Sequence, residues 1–182
     1  MKIGVVMDPI ETIKPYKDST LAMLLAAQQR GWELYYMEMS HLSKKQGKSH
    51  AQMASLKVFD DNQHWFEREH YFSAPLASLD IILMRKDPPF DMNYIYTTYL
   101  LEDAERDGTL VVNKPQSLRD CNEKLFATEF PQCIPPTLVS RSDTEIREFI
   151  REMGDVVIKP LDGMGGASLS ARVRNVYQGR AG

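Results

Sequence analysis

The sequence lacks the features of a secreted, membrane-spanning or disulfide-stabilised protein. It has only two cysteines, Cys121 and Cys133, and they stand in no CxxC or Cys/His spacing typical of a zinc site or a redox pair. The apolar run within residues 1–10 is ended by Asp8 and Pro9, too early for a signal peptide or a membrane span. We therefore expect reduced thiols in a cytoplasmic protein that has no membrane partner.

An excess of basic charge is also absent. The chain has 22 lysines and arginines against 25 acidic residues, a formal net charge of -3, which offers no general attraction for nucleic acid. Its 182 residues suffice for one domain, or for one domain and part of another, because domains commonly hold roughly 100–200 residues. A nucleic-acid partner is therefore not expected.

The two best-known phosphate-binding loops are missing. Residues 8–18, which follow the first predicted strand, contain no glycine and so exclude a dinucleotide fingerprint there, and no GxxxxGK[ST] P-loop is found. Glycines are instead concentrated late, in the segment Gly163-Met164-Gly165-Gly166. A backbone rich in glycine can approach a bulky anion and turn successive N–H groups toward it, as the binding of a phosphate chain requires. Taken alone, the segment fits a plain hairpin turn equally well.

Strands and helices alternate over residues 1–115. Helical patterns follow the capping residues Asp18 and Asp91. The predicted strands lie at residues 3–7, 32–39, 79–84 and 109–112. Between them, residues 41–57 are polar and lysine-rich and predict a hairpin or surface excursion outside the core. The alternation indicates an α/β layer with a parallel sheet.

A second unit is predicted to begin near residue 116. Residues 117–130 have a helical pattern that Pro131 ends, and Ser142 with Glu145 forms a capping box at the start of the next helix. A strand then leads into the glycine segment, and the residues after that segment alternate weakly, as in a second strand. The glycine segment is therefore predicted to join two strands and to lie as a flap over phosphates.

Two lysines are candidate phosphate ligands. Lys159 stands at the end of the strand that leads to the glycine segment, and Lys124 lies on the helix that opens the same unit. An ammonium group near each side of a triphosphate would neutralise its charge and orient the nucleotide. If spacing were the only evidence, the alternative that both are ordinary surface lysines would be favoured.

Arg85 and Ser19 are candidate ligands for a carboxylate. Arg85 follows a predicted central strand, and open α/β sheets bind ligands at the carboxyl ends of their strands. The alternative is an arginine that pairs with Asp87 or Asp91. Ser19 and Thr20 open the first helix, where free N–H groups could hold a carboxylate, although simple capping also explains both residues.

Four segments together resemble the bacterial glutathione synthetases of the ATP-grasp group. They are residues 6–9, 82–91, 113–125 and 158–168. The resemblance covers nearly everything from residue 2 to about residue 169. It implies an N-terminal α/β substrate domain over residues 1–115, followed over residues 116–169 by the start, or lid region, of an ATP-grasp domain.

The resemblance also implies a reaction. In this family ATP phosphorylates the cysteinyl carboxylate of γ-glutamylcysteine, and the amine of glycine attacks the acyl phosphate to give glutathione, ADP and phosphate, with Mg²⁺ neutralising the phosphates. Lys124 and Lys159 would bind ATP, and the segment from Gly163 through Met164 and Gly165 to Gly166 would be the phosphate flap. Arg85 would bind the acidic dipeptide. A homo-oligomer is also implied.

The likeness fades from Ser170 onward, in a basic tail without a carboxylate. The resemblance implies a further stretch that brings the ligands of Mg²⁺ and an arginine over the transferring phosphate, so no metal ligand and no catalytic residue is assigned in this chain. The hypothesis is a reading frame shifted or truncated after the flap, with residues 170–182 a disordered tail. We then expect an incomplete, weakly active or inactive ligase. The alternative is a non-catalytic fragment that binds peptide or nucleotide.

Overall fold

The computed structural model describes residues 1–161 and 171–174. The chain divides into two compact units, Met1–Asp120 and Cys121–Gly182. Within the described residues, no helix combines the length and the apolar character needed to cross a membrane.

The first unit is built on one eight-stranded sheet. Its strands are β1 Lys2–Val6, β2 Glu33–Met37, β3 Leu42–Lys45, β4 Lys48–Val58, β5 Phe66–Arg68, β6 Phe72–Pro75, β7 Ile81–Met84 and β8 Leu110–Val112. The order is β3-β4-β2-β1-β7-β8, and β5 and β6 also pair with β4. The four strands β2, β1, β7 and β8 are parallel, as the alternating pattern predicts, whereas β4 runs antiparallel to β2. The α/β class is therefore confirmed, in a mixed sheet.

The two longer helices of this unit begin where the capping residues Asp18 and Asp91 predict. The helices are α1 Ser19–Gln29, α2 Met92–Arg106 and α3 Pro115–Asp120, with 3-10 turns at Ile10–Thr12, Pro15–Lys17, Met39–His41 and Leu76–Ser78. The Asp18 carboxylate accepts a hydrogen bond from the Leu21 N–H at 2.7 Å, and Asp91 accepts one from the Tyr94 N–H at 2.9 Å. Each bond satisfies a backbone donor that the helix itself leaves unpaired. Gly31, at φ +73°, then turns the chain away after α1 in the left-handed geometry that glycine permits.

The prediction that residues 41–57 lie outside the core is wrong for most of β4. The hairpin itself is present, with Gln46 and Gly47 at its turn. The buried residues of β4 include Ala51, Met53, Ala54, Leu56 and Val58. They are buried because β4 pairs with four other strands and is covered along its length. Small alanines between polar residues gave this strand little hydrophobic signal.

Ile82, in the central strand β7, is completely buried among Val6, Met37, Leu76 and Leu101. Ile82→Ala should lower the free energy of unfolding of the first unit by about 3 kcal/mol, because it removes apolar contacts and leaves a cavity. Leu110→Ala is the matched control, since Leu110 in the edge strand β8 is 57% exposed, and it should cost about 0.5 kcal/mol or less.

Urea unfolding followed by tryptophan fluorescence measures this difference, because both tryptophans, Trp32 and Trp65, lie in the first unit. Equal midpoints for Ile82→Ala and Leu110→Ala would contradict the predicted core.

The second unit contains α4 Asp143–Met153, β9 Asp155–Ile158 and β10 Ala171–Arg174, with 3-10 turns at Phe126–Glu129 and Pro131–Cys133. Strands β9 and β10 are antiparallel, with Ile158 opposite Ala171. The prediction that the glycine segment joins two strands is therefore confirmed. Four residues of the expected disordered tail, 171–174, form one of these strands, and the rest of that tail lies outside the described residues.

The single helix predicted over residues 117–130 is wrong. Helix α3 ends at Asp120, and the chain continues through a turn at Asn122. The Asn122 side-chain oxygen accepts hydrogen bonds from the N–H groups of Lys124 at 3.0 Å and Leu125 at 3.1 Å. An asparagine side chain that binds the following backbone in this way replaces helical hydrogen bonds and interrupts the helix.

Candidate functional site

Arg85 lies at the edge of the sheet where the parallel strands end. It follows β7 directly, and its backbone N–H donates to the Val6 carbonyl oxygen at 2.7 Å, which extends the pairing of β7 with β1 by one residue. Ligands of open α/β sheets bind at this edge, because the connecting loops and helix N-termini converge there. The backbone of Arg85 is thus fixed where a ligand is expected.

The side chain of Arg85 reaches the first turn of α1. Its Nε donates to the Thr20 hydroxyl at 3.1 Å, and its Nη2 donates to the Ser19 hydroxyl at 3.0 Å. Both hydroxyls are available because Asp18 caps the helix. The structure therefore brings together the two predicted carboxylate ligands, Arg85 and Ser19, and adds Thr20; we call these three residues the arginine site.

The charge of Arg85 has no carboxylate partner in the described part of the chain. Asp91 is engaged in capping α2, and neither Asp87 nor Asp91 forms an ion pair with Arg85. A cation at a helix N-terminus is disfavoured, whereas an anion there gains about 0.3–1 kcal/mol. The arginine site therefore favours a bound anion electrostatically.

The neighbouring cation is compensated. Lys86 Nζ lies 2.9 Å from one carboxylate oxygen of Asp8, whose other oxygen accepts a hydrogen bond from the Asp87 N–H at 3.0 Å. These contacts join the segments after β1 and β7. Because Asp8 offsets Lys86, the positive charge at this edge is mainly that of Arg85. Burial raises the pKa of Tyr94, and the nearby Arg85 lowers it in part, so this phenol stays neutral beside the site.

The segment between β1 and α1 is anchored by residues that the sequence analysis did not single out as parts of a site. Trp65 Nε1 donates to the Ile10 carbonyl oxygen at 2.9 Å, and the Tyr36 hydroxyl oxygen accepts from the Ile10 N–H at 3.4 Å. Arg68 forms an ion pair with Glu11 at 2.8 Å. Hydrogen bonds and an ion pair from residues in or beside strands β2 and β5 therefore hold the segment that leads to Ser19 and Thr20.

The side chain of Lys124 reaches the end of β9, where Lys159 stands in the sequence. Lys124 Nζ donates to the Pro160 carbonyl oxygen at 2.5 Å, so its ammonium group lies beside the residue that follows Lys159. The Asn122 side-chain amide donates to the Leu161 carbonyl oxygen at 2.9 Å. The turn at Asn122 and Lys124 thus holds the start of the loop that leads to the glycine segment.

The predicted flap residues Gly163, Met164, Gly165 and Gly166 lie outside the described residues. Within residues 1–161 and 171–174, no group of three or more His, Cys, Asp or Glu side chains is arranged to hold a metal ion. The roles of Lys124, Lys159 and residues 163–166 in binding phosphates stay predictions.

Comparisons with known proteins agree with the fold and with the two units. Residues 1–119 match the family described as prokaryotic glutathione synthetase, N-terminal domain, and residues 123–177 match prokaryotic glutathione synthetase, ATP-grasp domain. The chain is 66% identical over 169 residues to a glutathione synthetase of Pseudomonas syringae pv. tomato, 60% to one of Pseudomonas aeruginosa and 58% to one of Yersinia pestis. Each alignment covers 93% of this chain and 53% of the relative. The chain spans about half the length of the curated relatives it matches.

A solved structure of the ATP-grasp ligase PsnB, in complex with a phosphomimetic variant of minimal precursor, Mg and ADP, has a similar fold. The TM-score is 0.52 at 14% identity, over 94% of this chain and 57% of that chain. This likeness concerns the fold alone. Because the family matches cover both units, the chain belongs to the prokaryotic glutathione synthetase family.

Proposed function

We propose that this chain provides the dipeptide-binding domain and the first part of the ATP-binding domain of a ligase that joins γ-glutamylcysteine to glycine. The observation that carries the proposal is Arg85, held against α1 at the strand ends without a carboxylate partner among the described residues. Membership of the prokaryotic glutathione synthetase family supports this substrate class, because γ-glutamylcysteine carries two carboxylates.

In this proposal the arginine site binds and orients the dipeptide. The guanidinium group of Arg85 forms charge-assisted hydrogen bonds with a substrate carboxylate, and the N-terminus of α1 adds a favourable dipole. Fixing one end of the dipeptide brings its reactive carboxylate to a defined position, and such positioning accounts for much of the rate of a phosphoryl transfer.

Lys124 and Lys159 bind the phosphates of ATP in this proposal, together with backbone N–H groups of residues 163–166. When bound, ATP supplies the phosphoryl group that activates the carboxylate for attack by the amine of glycine. The two ammonium groups neutralise phosphate charge, which matters more in phosphoryl transfer than a covalent nucleophile does. Mg²⁺, a cytoplasmic location and a homo-oligomer, which the resemblance to bacterial glutathione synthetases implies, belong to the same proposal.

A chimeric protein tests the proposed function. The 169 matched residues of this chain replace those of the Pseudomonas syringae glutathione synthetase, to which they are 66% identical. We expect ADP release that requires both γ-glutamylcysteine and glycine, because the replaced half would supply the dipeptide site and the two lysines. A coupled assay for ADP measures this, with the unmodified Pseudomonas enzyme as the positive control.

Two outcomes count against the proposed function. One is a folded chimeric protein that releases no ADP in the presence of both substrates. The other is a chimeric protein whose ADP release is independent of γ-glutamylcysteine. The alternative of a binding fragment predicts that the 182-residue chain releases no ADP in this assay and binds γ-glutamylcysteine in a calorimetric titration.

A further inference from the structure

The two edges of the Arg85 guanidinium group have different roles. A guanidinium group has five N–H donors in a plane, and the Nε and Nη2 donors of one edge point in the same direction. In Arg85 this edge is occupied by the hydroxyls of Thr20 and Ser19. The outer edge, formed by Nη1 and Nη2, makes no hydrogen bond within residues 1–161 and 171–174. That edge has the geometry to bind both oxygens of one carboxylate.

We propose that Thr20 is a positioning residue that holds Arg85 so that its outer edge grips the glutamyl α-carboxylate of γ-glutamylcysteine. This inference rests on the proposed function, since it assigns one end of the proposed substrate to the arginine site.

The choice of carboxylate follows from the reaction. One carboxylate of the dipeptide, that of the cysteinyl residue, must attack the γ-phosphorus of ATP with an oxygen lone pair, which forms the acyl phosphate and breaks the bond to the β–γ bridging oxygen so that ADP leaves. A carboxylate held at both oxygens by a guanidinium edge has its negative charge neutralised and its oxygens engaged, which makes it a poor nucleophile. The carboxylate at Arg85 is therefore the other one, on the glutamyl residue.

The choice of Thr20 over Ser19 follows from burial. Thr20 is 5% exposed, whereas Ser19 lies at the surface. A buried hydroxyl that accepts from Nε fixes the plane of the guanidinium group close to its attachment to the side chain. Removing that acceptor leaves the Nε donor without a partner in a partly buried place, and the side chain must turn to find one. Water replaces the Ser19 contact more readily because that side chain is exposed.

The test compares Thr20→Val with Thr20→Ser in the 182-residue chain, by calorimetric titration with γ-glutamylcysteine. Valine keeps the shape of threonine and loses the acceptor oxygen, so Arg85 is no longer held in place before the dipeptide binds, and we expect about 10-fold weaker binding. Serine keeps the acceptor and should restore the affinity to within about 2-fold. Tryptophan fluorescence in urea checks that each variant is folded.

Two amide analogues of the dipeptide identify the carboxylate. With the unmodified chain, converting the glutamyl α-carboxylate to an amide should weaken binding at least about 10-fold, and converting the cysteinyl carboxylate should cost less. With Thr20→Val, the glutamyl amide should cause little additional loss, because interacting groups are not additive. A purely structural role of Thr20 would weaken all three ligands equally.

Three results overturn the inference. In the first, Thr20→Val binds γ-glutamylcysteine as the unmodified chain does. In the second, it is the cysteinyl amide, and not the glutamyl amide, that causes little additional loss of affinity in Thr20→Val. That result would place the cysteinyl carboxylate, the reactive end, at Arg85. In both of these the proposed function survives. In the third, the unmodified chain binds no γ-glutamylcysteine, which overturns the inference together with the proposed dipeptide site.

Discussion

Arg85→Ala should weaken the binding of γ-glutamylcysteine to this chain by at least about 100-fold, since each hydrogen bond to a charged group contributes about 1.5–3 kcal/mol and a bidentate contact loses two. Arg85→Lys keeps the charge and loses the planar pair of donors, so we expect an intermediate loss of about 10-fold or more. Calorimetric titration of the two variants with the dipeptide measures both values.

Arg30→Ala is the matched control. Arg30 is an exposed arginine that follows α1, at the end away from Ser19 and Thr20, and its Nη1 donates to the Ala26 carbonyl oxygen. Removing it changes the net charge as Arg85→Ala does, so it corrects for long-range attraction between the chain and an anionic ligand. The affinity of Arg30→Ala should stay within about 2-fold of the unmodified chain. Equal losses of affinity for Arg85→Ala and Arg30→Ala would mean that Arg85 contributes only long-range electrostatic attraction.

The sequence predicted both halves of the arginine site but not their contact. The place of Arg85 after a predicted central strand and the place of Ser19 at a helix start each indicate a carboxylate ligand. Their side chains lie 66 residues apart in the sequence, and only the parallel pairing of β1 with β7 brings them together. Capping also explains Thr20, because Asp18, Ser19 and Thr20 all have side-chain oxygens suited to that role. In the structure Asp18 caps the helix, so the hydroxyls of Ser19 and Thr20 can accept hydrogen bonds from Arg85.

The errors in the fold have a common cause. The polar, lysine-rich composition of residues 41–57 predicts a segment outside the core, and the helical spacing of residues 117–130 predicts one helix; both predictions use local sequence alone. In β4, pairing with four strands buries small residues that carry little hydropathy. After α3, one side chain, Asn122, takes the N–H groups of Lys124 and Leu125 and stops a helix that the spacing would have continued. Tertiary pairing and side-chain capping override such local preferences.

Elements with strong local signals were predicted well. Helix α4 begins after Ser142, whose hydroxyl accepts from the Glu145 N–H at 3.4 Å, and it ends at Gly154 with φ +78°. The capping box predicted from Ser142 and Glu145 is only half formed: the Glu145 carboxylate accepts a hydrogen bond from the Ser140 hydroxyl, and the Ser142 N–H donates to Ser140. Apolar residues at helical spacing, a cap before them and a glycine after them all favour the same helix, and agreement among such signals is what makes a segment predictable.

The affinity for ATP should depend on Lys159 and Lys124. In the chimeric protein, Lys159→Ala should weaken ATP binding by about 10-fold or more, the loss of one charge-assisted contact to phosphate. Lys159 is exposed at the end of β9, so its removal should leave the fold intact. Displacement of a fluorescent ATP analogue measures the affinity. Lys45→Ala, at the exposed turn between β3 and β4, is the control and should change it by less than about 2-fold.

Lys124→Ala should have the larger effect of the two lysine variants. Its ammonium group contacts the Pro160 carbonyl oxygen, so the side chain also helps to hold the start of the loop that leads to residues 163–166. Losing it removes both a positive charge and an attachment of that loop, and because the two losses concern one site they should combine non-additively with Lys159→Ala. If both variants bind ATP as tightly as Lys45→Ala does, the phosphates lie elsewhere, and the proposed roles of Lys124, Lys159 and residues 163–166 fail together.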